Sequence, residues 1–176
     1  MFPIQGGQAS WTPYTHHDYP ATDLFAATGC GTPVVSPVTG KVGQVLLNRY
    51  VASVDDPALR GGNAVSVIGN DGVRYYMAHF ERISPSLHPG SPITAGTVVG
   101  WMGETGKASA CHMHFGLSLP CPNDDWWTRR GVIWPDQYLT SWRNGGDLSP
   151  LPALRRFYAK YPHACRSPQD VPYPIG

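Results

Sequence analysis

Short runs of alternating apolar and polar residues dominate the first two thirds of this chain. AVSVIG (64–69) and VRYYMAHF (73–80) flank Asn70-Asp71-Gly72. These turn residues accept positive φ angles, so the stretch predicts a β-hairpin. Comparable runs predict strands at about 33–35, about 41–48, within TVVGWMGETG and at about 111–118, with ATDLF as a short strand or turn. Residues 1–20 read as an irregular arm and VDDPALRGG as a polar excursion closed by two glycines. ERISPSLHPGSPITAG and LPCPNDDWWTRRG read as loops. The period changes near the C-terminus. Leu151, Leu154, Phe157, Tyr158 and Tyr161 fall at helical spacing, and PDQYLTSW (135–142) opens on a proline suited to a first helical turn. PQDVPYPIG reads as an irregular tail. The pattern predicts a mainly β protein: an antiparallel sheet or sandwich with one or two short C-terminal helices. Its length suits a single domain over 1–176, with a core at about 16–142 and a C-terminal helix and tail at about 143–176.

Composition narrows the function. Charged residues make up 14% and the net charge is +1, which lacks the basic field of a general nucleic-acid binder. Gly 20 and Pro 18 fit a turn-rich β fold. No apolar run reaches the roughly 18 residues of a membrane span. The opening MFPIQGGQASWTPY lacks the basic head and apolar stretch of a secretory leader. The four cysteines form no CxxC pair, which speaks against a zinc knuckle and for two disulfides in an oxidising compartment. Of three pairings, Cys121 with Cys165 is preferred because it pins the tail to the body. That leaves Cys30 with Cys111.

The candidate chemistry lies in the histidines. In ACHMHFGLS (110–118), strand alternation puts His112 and His114 on one face and Met113 and Phe115 on the other. Two histidines on a half-exposed strand can simply face solvent, and a zinc site needs about three protein ligands. Further donors lie upstream. His79 closes VRYYMAHF, on the face of Val73, Tyr75 and Met77 by strict alternation, and TPYTHHDYPATD carries His16, His17, Asp18 and Asp23. His88 and His163 read as surface residues. Trp126, Trp127, Trp134 and Trp142 divide between core and rim. GETGKAS lacks the GK[ST] ending of a phosphate loop, and its glycines read as a tight backbone turn.

Four segments, HHDYPATD, GTPVVSPVTGKV, YYMAHF and GETGKASACHMHFGLS, together resemble in order the lysostaphin or LytM-type zinc metallopeptidases, secreted peptidoglycan endopeptidases with the duplicated-hybrid-motif fold. The resemblance covers roughly residues 16–118. It implies a Zn2+ site on His17, with His16 as the alternative, together with Asp23 and His114. It implies catalytic roles for His112, the expected general base, and for His79, which would orient water or stabilise the oxyanion. The two roles could be exchanged. It implies a peptidoglycan peptide as substrate, received in a groove between the arm at about 11–22 and the loop at about 81–90. It also implies a secreted or periplasmic, cell-wall-associated location. A monomer without nucleic-acid partners is expected. Some positions depart from the pattern. The family's spacing puts three residues between histidine and aspartate, whereas five separate His17 from Asp23. Cys111 stands where the family often has glycine or proline, and Gly116 where it often has glutamate. IWPDQYL resembles the family's closing segment. Two other readings are an inactive peptidoglycan-binding or regulatory domain of the same fold, and a carrier domain, since GTPVVSPVTGKV is similar to biotinyl and lipoyl hairpins. Lys41 does not occupy the modified position of such a carrier.

Overall fold

The computed structural model describes residues 1–122 and 125–174. The strands are β1 (Ala9–Ser10), β2 (Thr22–Ala26), β3 (Pro33–Val35), β4 (Gly40–Leu46), β5 (Ala64–Gly69), β6 (Arg74–Ala78), β7 (Phe80–Ile83), β8 (Pro92–Ile93), β9 (Val98–Met102) and β10 (Met113–Ser118). The helices are α1 (Trp126–Arg129), α2 (Asp136–Arg143) and α3 (Leu151–Lys160). Seven strands form one sheet in the order β1-β2-β10-β6-β5-β4-β8, and three form a second in the order β3-β9-β7. All pairings are antiparallel. The mainly β expectation holds.

The predicted hairpin is β5–β6. Gly72 takes φ 81 in its turn, and the Asp71 carboxylate accepts from the Val73 amide (3.0 Å) and the Tyr75 hydroxyl (2.8 Å). Alternation on β10 sends Met113, Phe115 and Leu117 into the core, where they pack with Tyr75, Met77, Val34 and Val99. Leu139 and Trp142 of α2 and Leu154 of α3 close the same cluster. Both expected disulfides form, with Cα–Cα distances of 5.2 Å for Cys30–Cys111 and 5.5 Å for Cys121–Cys165.

Two stretches read as loops carry regular structure. The segment 81–96 contains most of β7 and all of β8. Pro92 is tolerated because β8 is a two-residue edge strand, where a missing amide breaks no ladder, and Pro85 and Pro89 lie between the strands. LPCPNDDWWTRRG contains α1. Asp125, at its start, is buried and takes a bidentate ion pair from Arg74 of β6 at 2.9 and 2.6 Å. The Thr128 hydroxyl donates to the same carboxylate. Taking away either ion partner would strand a buried charge, so the pair fixes α1 against the sheet. Asn123 and Asp124 of that stretch, and Ile175 and Gly176 of the tail, lie outside the described residues. Pro168–Asp170 of the tail forms a single 3-10 turn.

Candidate metal centre and catalytic site

Register brings the scarce donors together. On adjacent strands His114 pairs directly with Asp23, and across β6 it pairs with Ala78. His114 therefore faces the side of the sheet opposite Met113 and Phe115. Strict alternation would send His79 to the core face with Tyr75 and Met77. It does not go there, because β6 ends at Ala78 and His79 takes φ 68. That left-handed conformation is uncommon for histidine and costs roughly 1–3 kcal/mol. It brings the ring to 4.6 Å from that of His112 and 6.1 Å from that of His114. Sequence periodicity had no means of showing this reversal.

Each of four imidazoles has one nitrogen committed to a backbone carbonyl. His16 Nδ1 donates to Tyr19 O (3.0 Å), His79 Nδ1 to Thr105 O (2.8 Å), His112 Nδ1 to Ala110 O (2.8 Å) and His114 Nε2 to Arg130 O (2.9 Å). A carbonyl only accepts, so each committed nitrogen bears the hydrogen, and the other nitrogen of a neutral ring presents a lone pair. Carbonyls that accept from one ring nitrogen in this way fix the tautomer and orientation of metal-binding histidines. His114 Nδ1 then lies 3.2 Å from Asp23 Oδ1, and His112 Nε2 lies 3.7 Å from the same oxygen. Lone pair facing carboxylate is repulsive unless a proton or a cation stands between.

One donor atom each from His16, Asp23 and His114 lies within 4.8 Å of the others. In a tetrahedral zinc site with bonds of roughly 2.0–2.1 Å, ligand atoms stand about 3.3 Å apart. The donor set of two imidazoles and one carboxylate fits zinc in chemistry, and the 3.2 Å between His114 Nδ1 and Asp23 Oδ1 matches that spacing, with His16 in the same cluster. Burial, then the charge of His114, lowers the His16 pKa to about 3. Burial, then His114 and His112, lowers that of His79 to about 3. Both rings are neutral near pH 7. Burial works to raise the Asp23 pKa, but the surrounding imidazoles, His114 first, outweigh it and hold the carboxyl well below its usual range.

The expected first ligand, His17, is placed elsewhere. Its side chain is 78% exposed and its Nδ1 sits 2.9 Å from Asp18 Oδ2. Its ring stacks on His16 at 4.8 Å. His16 instead meets His114 edge-on at 5.0 Å and Tyr19 at 4.4 Å. The longer turn between His16 and Asp23 holds Tyr19, whose backbone carbonyl orients the His16 ring.

The site opens into a cavity of about 470 Å³. One wall is the expected arm, at His16–Tyr19. The opposite walls are the 57–61 and 107–109 segments and helix α1 with Arg130. The segment 81–90 does not line it, because its first residues are tied into β7 in the second sheet. The GETGKAS turn also contributes through Thr105, whose carbonyl accepts from His79 Nδ1 and whose hydroxyl donates to Phe80 O at 2.8 Å. Gly62 and Gly106, both at positive φ, let the two loops touch. A Cβ on Gly106 would stand 2.2 Å from Arg60 O, and one on Gly62 would stand 2.4 Å from Thr105 C. Arg130 and Tyr19 went unnoticed in the sequence. The available signal was WWTRR, a basic and aromatic cluster soon after the histidine strand.

The sequence model of peptidase family M23 matches residues 17–124. The chain belongs to peptidase family M23. Among M23 relatives, lysostaphin of Staphylococcus staphylolyticus is 34% identical over 86 residues, covering 48% of this chain and 16% of the relative. The glycyl-glycine endopeptidase ALE-1 of Staphylococcus capitis is 33% identical over 86 residues, covering 48% of this chain and 21% of the relative. The chain thus spans about a sixth to a fifth of the length of these relatives. Among solved structures, the lysostaphin catalytic domain from Staphylococcus simulans aligns with a TM-score of 0.56 at 25% identity. It covers 74% of this chain and 89% of that domain. The catalytic domain of the prophage-encoded M23 protein EnpA from Enterococcus faecalis shares the fold, with a TM-score of 0.55 at 23% identity over 78% of this chain and 96% of that one. The M23 assignment accords with a His/Asp cluster suited to a zinc ion.

Proposed function

We propose that this chain is a zinc-dependent endopeptidase that hydrolyses peptide bonds of bacterial cell-wall peptidoglycan, in stem or cross-bridge peptides. The observation that carries this reading is the convergence of four carbonyl-oriented imidazoles on or beside Asp23 at the floor of an open cavity. His16, Asp23 and His114 would hold the ion. A zinc ion there supplies Lewis acidity that makes water nucleophilic near neutral pH and polarises a peptide carbonyl. His112 presents its Nε2 lone pair to the site and is the general base: it takes a proton from the attacking water and returns it to the leaving amine. His79, neutral and fixed by Thr105, orients the water or the oxyanion beside it. The arm at His16–Tyr19, the 57–61 segment and α1 would flank an extended peptide.

The whole chain would act as one catalytic domain, supported by a core cluster running from Phe2 to Leu154. Two disulfides support work outside the reducing cytosol. The test is release of new amines from purified cell walls by zinc-loaded protein, with and without chelator. Chelator-sensitive release is expected. Zinc binding without amine release would leave only the inactive, wall-binding reading.

A further inference from the structure

The buried arginines of this fold differ in how they are satisfied. Arg74 is 3% exposed and spends its guanidinium on Asp125 and the Leu119 carbonyl. Arg130 is 7% exposed and lies in the cavity wall beside the metal centre. Its Cζ sits 3.9 Å over the Tyr19 ring and 5.0 Å from the Trp126 ring. Its Nε and Nη2 are buried and find no hydrogen-bond partner among the described residues. The nearby carboxylates are engaged: Asp18 pairs with His17, and Asp23 belongs to the metal cluster. Of the other cations in the cavity wall, Arg60 and Lys107 both pair with Asp55, at 2.9 and 2.6 Å, and Arg129 donates to Ala58 O at 3.4 Å. A buried guanidinium with open donors is costly unless an anion completes it.

We propose that Arg130 is a specificity-determining residue that receives a carboxylate of the peptide substrate close to the scissile bond. The fork of its Nε and Nη2 matches the two oxygens of a carboxylate. Tyr19 links this subsite to the metal centre, because its ring lies 3.9 Å below the guanidinium and 4.4 Å from the His16 ring. The guanidinium packs against the half-buried rings of Tyr19 and Trp126, and its open donors are covered, so the carboxylate engages as one of these rings shifts. The inference rests on reading the site as a peptidase and names its substrate class: acidic peptides rather than runs of uncharged glycine.

The test compares two probes on the zinc-loaded protein by calorimetry, acetyl-Ala-Glu-Ala-amide and acetyl-Ala-Gln-Ala-amide. The acidic peptide should bind about tenfold tighter, as a charge-assisted pair requires. Arg130→Gln should bring the two affinities together, with zinc content and melting temperature tracked alongside. Arg130→Lys, which keeps charge but loses the fork, should retain part of the preference and serves if the glutamine variant does not fold. Equal affinity in the native protein, no binding of either peptide at millimolar concentration, or a preference that survives Arg130→Gln overturns the proposal. Wall hydrolysis is read separately. Carboxylate preference without amine release would retain the subsite and sink the reaction, and amine release without preference would do the reverse.

Discussion

Gly116 is the position where one methyl group should disturb the metal centre without touching a ligand. It lies on β10 two residues beyond His114, and the backbone after α1 crosses directly over it. A Cβ there would stand 2.1 Å from Arg130 O, 2.5 Å from Arg130 C and 3.0 Å from Gly131 N. All three neighbours are backbone, so no rotamer relieves the clash, and the segment must retreat by about 1.3 Å or more to reach ordinary contact. That same Arg130 carbonyl receives His114 Nε2–H at 2.9 Å. A shift of that size takes the bond out to the limit of hydrogen bonding and frees the ring to turn. Gly116→Ala should therefore cost about 1–3 kcal/mol of stability in the metal-free protein. At 2 kcal/mol the melting temperature falls by about 4–8 °C for a chain of this size. Zinc affinity should fall about 10–100-fold, the usual effect of losing a partner behind a ligand. Thermal unfolding of the metal-free protein and zinc competition against a chromophoric chelator read the two effects. A Gly116→Ala protein that melts and binds zinc like the native one would refute the argument.

His16→Ala should weaken zinc binding by more than about 100-fold, whereas the exposed His17→Ala should change it by less than about threefold; the same chelator competition decides, and the reverse order would return the ligand role to His17. His112→Ala should keep about one zinc per chain yet slow wall hydrolysis by roughly 10²–10⁴-fold, so loss of metal along with activity would count against a proton-transfer role. Acid should destabilise the metal-free protein. His79, lowered to about 3 chiefly by burial, stays neutral when folded, while the unfolded chain takes up a proton below about pH 6.5. Stability should then fall as pH drops from about 6.5 towards 3, by at most about 1.4 kcal/mol per pH unit from this ring. Denaturant melts across that range check the slope, and a slope unchanged in His79→Gln would assign it to other groups.

Much of this arrangement was legible in the residues. Period-two runs located β3, β5, β6, β9 and β10 to within a residue or two, because each strand has one face in the core. Helical spacing located α3, and the proline at 135 marked the start of α2. Both disulfide pairings followed from which segments needed tying. What escaped depended on backbone departures from regular geometry. His79 reached the imidazole face only through a left-handed φ that alternation cannot encode. His16, rather than His17, turns towards Asp23 and His114 because the enlarged turn places the Tyr19 carbonyl behind it. Helix α1 rests on the long-range Arg74–Asp125 pair rather than on a local apolar period. The wall at 57–61 and 107–109 depends on two glycines meeting across distant loops.

The most direct test is zinc anomalous scattering from crystals of the zinc-loaded protein. The account predicts one strong peak bonded to His16 Nε2, an Asp23 carboxylate oxygen and His114 Nδ1 at about 2.0–2.2 Å, with His79 and His112 beside it but not coordinating. No peak at this cluster, or a peak held by His17 with His16 turned away, would contradict it.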